Sequence, residues 1–90
     1  MQKTVQYDSA MTADDLAFVV KDIIQYKLGL EENQLHHKAN FQDDLGIDSL
    51  DLIELRMEIE KKFGIAITDE DAEKLLTVGD IIDHVKGRKA

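Results

Sequence analysis

The stretch Ser49-Leu50-Asp51-Leu52-Ile53-Glu54-Leu55-Arg56-Met57-Glu58-Ile59-Glu60-Lys61-Lys62-Phe63-Gly64 decides how this chain folds. At 100° per residue, Leu52, Leu55, Ile59 and Phe63 fall on one arc of a helix. Leu50, Ile53 and Met57 fall on a second arc, bordered by Asp51, Glu54 and Glu60. The spacing predicts a helix over about 49–63, stopped at Gly64, with one apolar face for a core and another that looks exposed.

Upstream, Leu16, Val19, Val20, Ile23, Ile24 and Leu28 recur at helical spacing opposite Asp15, Lys21, Asp22 and Gln25. This predicts an amphipathic helix over about 13–28, started by a capping pair of Thr12 and Asp15 and ended at Gly29. Between the two helices the period fades. Leu30, Leu35, Phe41, Leu45 and Ile47 are spaced as anchors, and Gly46 supplies a turn, so 30–48 reads as an ordered crossover packed on the helices.

Downstream, Thr68 precedes three acids, Asp69, Glu70 and Asp71, which suits the positive end of a short helix running to about Leu76. Thr77 with Asp80 repeats the capping pattern ahead of Ile81, Ile82 and Val85, predicting a last helix that stops near Gly87 before a basic, frayed tail at 88–90. The expected fold is all-α. It is a small four-helix bundle of three longer helices and one short one, spanning 12–87, with Met1 to Met11 as a mobile extension.

Composition narrows the function. Ninety residues suit one domain with a modest core. Nineteen acidic residues against 11 basic ones give a charge of −8, which repels phosphate backbones and favours basic protein partners rather than nucleic acid. No apolar run approaches the roughly 18 residues of a membrane span, and no secretory signal is evident, so insertion in a membrane is not expected and a cytoplasmic location is. The absence of cysteine removes disulfides, thiolate metal sites and a native thiol nucleophile together, so thioester chemistry would need an imported sulfur.

Chemistry is expected at Leu45-Gly46-Ile47-Asp48-Ser49-Leu50, where the crossover meets the central helix. Unpaired N–H groups and the helix dipole would stabilise a phosphodiester formed on Ser49. Read as residues alone, Asp48 or Ser49 is more readily a plain N-cap than an attachment point.

Asp48-Ser49-Leu50 resembles the attachment motif of the acyl carrier protein family. Phe41 through Asp51 resembles that family's most recognisable stretch, Glu54-Leu55 and Glu60 through Phe63 fit its second helix, and Asp69 through Lys74 fit its third. The likeness runs from about Thr12 to Gly87. It implies a non-catalytic, monomeric carrier on which a phosphopantetheinyl transferase moves 4'-phosphopantetheine from coenzyme A to the Ser49 hydroxyl, supplying the missing thiol. It further implies that acyl groups ride on that arm between enzymes of fatty acid biosynthesis. Asp48, Leu50, Asp51, Ile53, Glu54, Met57 and Glu60 would dock the basic surfaces of those enzymes, and Leu52, Leu55, Ile59 and Phe63, with contributions from the third helix, would line a cavity for the acyl chain.

The chain departs from the family pattern in two places. Arg56 lies in the inner arc where the family has an apolar residue, so its stem should cover apolar surface while its head reaches a carboxylate at the rim. Lys61 and Lys62 stand where acids are frequent. Both changes leave room for a carrier serving a specialised acyl or polyketide pathway.

Other readings are weaker. Without the resemblance, Leu50, Ile53 and Met57 could pack beneath the crossover, and the chain could be a small acidic interaction module with no prosthetic group. An enzyme lacks parts, because His36, His37 and His84 show no triad signature and read as surface residues, the first two a poor metal pair. A calcium loop fails on spacing, since Gly46 at the sixth position would make Phe41 the first ligand. No dedicated metal site is expected, only loose binding of divalent cations to the acidic surface.

Overall fold

A computed structural model describes residues 12–89, and the expected extension at 1–11 lies outside them. Among the described residues there are four α-helices: α1 (Ala13–Leu28), α2 (Ser49–Phe63), α3 (Asp69–Ala72) and α4 (Val78–Lys89). This is the small helical bundle that the apolar periodicity predicts, with α1 packed against both α2 and α4.

The boundaries have local causes. Thr12 and Asp15 close a capping box, the Asp15 N–H donating to the Thr12 hydroxyl (3.1 Å) and the Thr12 N–H to the Asp15 carboxylate (3.2 Å). Helix α1 ends at Gly29 (φ 67°), whose left-handed backbone lets its N–H reach the Gln25 carbonyl. Gly64 (φ 66°) ends α2 in the same way, and Thr68 caps α3 by accepting from the Asp71 N–H.

The core gathers Val20 and Ile24 from α1, Leu55, Ile59 and Phe63 from α2, and Val78, Ile82 and Val85 from α4, all buried. Burial of such side chains contributes about 1.5–3 kcal/mol each. Among the described residues the core holds no buried polar or charged residue, so the helices meet there through apolar packing.

The crossover is ordered by its own hydrogen bonds. Leu35 and Phe41 are buried, while Leu30, Leu45 and Ile47 pack against the core as partly buried anchors. Glu32–Gln34 forms a single 3₁₀ turn that the fading period did not announce. The Asn40 side chain accepts from the N–H groups of Gln42 (2.9 Å) and Asp43 (2.8 Å), folding the chain back so that Ile47 N–H reaches the Phe41 carbonyl (2.9 Å). A short antiparallel bridge then ties the crossover to the approach of α4: Phe41 N–H donates to Leu76 O (3.0 Å), and Val78 N–H to Ala39 O (3.1 Å).

Two boundaries differ from the sequence-based expectation. Helix α3 stops at Ala72 rather than near Leu76, because the Leu76 carbonyl is taken by Phe41 and the N–H groups of Leu76 and Thr77 donate to the Asp80 carboxylate (3.0 and 3.1 Å). Helix α4 continues through Gly87 to Lys89 instead of fraying, and Arg88 in its last turn bonds Asp71 at 3.0 Å. Among the described residues, no helix is long and apolar enough to cross a membrane.

Candidate functional site

Asp48 and Ser49 divide the roles that the sequence left open. Asp48 is the N-cap of α2, in extended backbone (φ −86°, ψ 174°), and its carboxylate accepts from the Asp51 N–H at 2.9 Å. Ser49 is therefore the first helical residue, exposed, with no hydrogen bond to its hydroxyl among the described residues. A cap would have its side chain committed to the helix; Ser49 keeps an uncommitted nucleophilic oxygen at the positive end of a fifteen-residue helix. Gly46 (φ 65°), three residues before, makes the turn that delivers the chain to this point.

A cleft of about 420 Å³ opens beside Ser49. Ser49, Leu52, Ile53 and Arg56 line one wall, and Ile67, Ala72, Leu75 and Leu76 are among the residues of the others. The lining is mostly apolar, and exposed Ser49 stands at its rim. These features fit a phosphodiester-linked arm: a free hydroxyl for the bond, backbone N–H groups for the phosphate, and an apolar recess within reach for whatever the arm carries.

The inner arc splits between two tasks. Leu55, Ile59 and Phe63, expected to line the cavity, are closed into the core and do not border the cleft; only Leu52 of the four does. Ile53, placed by angle on the outer arc, serves both surfaces, lining the cleft while 44% exposed. Phe41, Ile67 and the residues around α3 complete the cleft. The third-helix share was expected from the family resemblance, but Phe41 and Ile67 were not, because periodicity within one helix carries no information on which distant segment faces which arc.

The outer arc is bare. Leu50 is 63% and Met57 56% exposed, so neither lies beneath the crossover, and Asp48, Asp51 and Glu54 flank them on the surface. Glu54 approaches Lys27 of α1 at only 4.0 Å. Glu60 behaves differently from its expected docking role: it is half-buried, and its carboxylate accepts from the Ile67 N–H at 2.7 Å.

Arg56 adopts the posture that its place in the sequence predicts. It lines the cleft and its head leans to Asp69, Nη2 to Oδ1 3.5 Å, while its buried Nε–H has no partner. Lys61 and Lys62 are exposed in the last turn of α2, where positive charge complements the helix dipole. Of the histidines, His84 departs from the surface reading, since it is half-buried with an unpartnered, buried Nε2. His37 gives its carbonyl to the Gly79 N–H (2.8 Å), which locks the crossover to α4.

Comparison with known proteins agrees with this geometry. The family model described as the phosphopantetheine attachment site matches residues 19–85. The chain is also 49% identical over 79 residues to an acyl carrier protein of Chloroherpeton thalassium, a match that covers 88% of this chain and 99% of that one.

Proposed function

The chain belongs to the phosphopantetheine-attachment family, among the acyl carrier proteins, and from that premise we propose that Ser49 is the residue that bears the arm. The protein is a carrier and not an enzyme, and its cofactor is covalently held 4'-phosphopantetheine. The observation that carries the Ser49 reading is the division of labour at the start of α2: Asp48 does the capping, and the neighbouring hydroxyl is free and exposed. A separate transferase joins Ser49 Oγ to phosphorus as the pyrophosphate bond of coenzyme A breaks. Adenosine 3',5'-bisphosphate leaves, and the hydroxyl proton passes to the transferase. The helix N-terminus then holds the new phosphodiester in a favourable field.

Docking follows from the same helix. Leu50, Ile53 and Met57 form an exposed apolar stripe, and Asp48, Asp51 and Glu54 give it a negative border. Such a surface suits a partner with an apolar recess ringed by lysine or arginine, the charges speeding encounter and the stripe holding the complex. The partners are the transferase and successive acyl-processing enzymes, in the cytoplasm. Glu60 supports the helix from behind instead of meeting them, because its carboxylate is engaged by Ile67.

The pathway that best fits a likeness covering nearly the whole chain is fatty acid biosynthesis. A carrier for a specialised acyl pathway is the second reading, and Arg56 in the cleft wall favours it. Intact-mass spectrometry after incubation with coenzyme A and a broad-specificity phosphopantetheinyl transferase tests the attachment. The parent should gain the mass of one arm, and Ser49→Ala should gain none. Modification that persists in Ser49→Ala overturns the assignment.

A further inference from the structure

We propose that Arg56 reads the oxygen content of the cargo, favouring acyl groups that carry a keto or hydroxyl oxygen over saturated chains of equal length. The inference rests on the reading of Ser49 as the attachment point. Arg56 lies seven positions after Ser49, which at 100° per residue brings the two within about 20° of the same helix face, roughly 10.5 Å apart along the axis. Leu52 and Ile53 fill the interval, and all four residues line one cleft. An occupant entering from Ser49 runs along an apolar stretch and then meets a guanidinium.

That guanidinium is poorly satisfied. Its one charged partner among the described residues is Asp69 at 3.5 Å, whose side chain is 97% exposed, so water competes for it. Nε–H is buried and makes no hydrogen bond. A buried donor without an acceptor is costly, and a charged donor more so. A carbonyl or hydroxyl oxygen on the cargo offers an acceptor with charge-assisted strength. A saturated chain at the same place offers none, and it also forfeits any hydrogen bond that water would make there. The arm leaving Ser49 passes Leu52 and Ile53 in the same way whatever it carries, so discrimination between cargoes falls on Arg56.

The test uses the full chain loaded at Ser49 by transferase from three coenzyme A analogues, carrying hexanoyl, 3-hydroxyhexanoyl and non-hydrolysable 3-oxohexanoyl groups. Intact mass confirms each load, and failure to load at Ser49 would count against the attachment reading rather than against Arg56. Thermal melting and the ¹H–¹⁵N resonance of Arg56 Nε–H are then read for the parent and for Arg56→Met, which keeps apolar bulk and removes the donors. In the parent, the oxygenated cargoes should melt at least about 4 °C above hexanoyl and shift the Nε–H resonance. In Arg56→Met the hexanoyl form should become the most stable of the three. The same ranking in parent and variant overturns the proposal. So does an Nε–H shift that is complete in the arm-bearing protein without cargo, because the acceptor is then an oxygen of the arm itself.

Discussion

The Glu60 carboxylate accepts a 2.7 Å hydrogen bond from the backbone N–H of Ile67, seven residues on and beyond the turn at Gly64. That bond ties the loop leaving α2 to the helix it has just left, and holds buried Ile67 as a wall of the cleft. Glu60→Ala removes the acceptor and leaves a partly buried N–H unpaired, at a cost of about 1–3 kcal/mol. The melting temperature should fall by at least about 4 °C. Transferase modification of Ser49 should keep its parent rate, since the Glu60 carboxylate is engaged by Ile67 rather than presented to a partner. A slowed modification with unchanged melting would return Glu60 to the docking face.

Asp48 and Ser49 should separate cleanly when each is replaced by alanine. Asp48→Ala loses the cap on Asp51 N–H and should cost about 1 kcal/mol. Ser49→Ala loses no hydrogen bond and should melt within roughly 2 °C of the parent, because an exposed first-turn alanine is a good helix former. Chemical denaturation of the two variants with equal midpoints would contradict the assignment of the cap to Asp48.

Reversing Asp51 and Glu54 to lysine should slow modification by a basic-surfaced transferase by about tenfold or more at low salt, with a much smaller difference at high salt. Stability should change little, because among the described residues Glu54 has only a long, exposed pairing with Lys27. Initial rates measured across a salt series check this. A parent-like rate in low salt would remove α2 as the docking surface.

Gly79 is needed for space rather than for backbone freedom. It is buried in the first turn of α4, where the ring and carbonyl of His37 occupy the position that a Cβ would take. Gly79→Ala should therefore force the crossover off α4, weakening the bridge that carries Phe41, at about 1–3 kcal/mol. Adding His37→Ala should restore only part of the loss, because the carbonyl remains in the way. Complete recovery in a melting experiment would show that the imidazole alone makes the contact.

Local chemistry settled much of this protein from its sequence. The apolar period set α1 and α2, the pairs Thr12 with Asp15 and Thr77 with Asp80 marked two helix starts, and Gly29 and Gly64 marked two ends. These signals act within one or two turns of chain, so a linear reading captures them. The resemblance of Asp48-Ser49-Leu50 to a carrier motif was legible in the same way, whereas which of Asp48 and Ser49 caps α2 was decided by the structure.

The rest depended on partners distant in sequence. Helix α3 is cut short because Leu76 O answers Phe41 N–H across 35 residues. Glu60 turns from the surface because Ile67 N–H lies behind it, and α4 outlasts Gly87 with Arg88 held by Asp71. The cleft belongs to Leu52, Ile53 and Arg56 rather than to Leu55, Ile59 and Phe63, since packing against the other helices fills one side of the inner arc and leaves the side facing α3 open. Helical angle fixes which residues share a face; only the packing of the whole chain decides which face is filled and which stays open to a cargo.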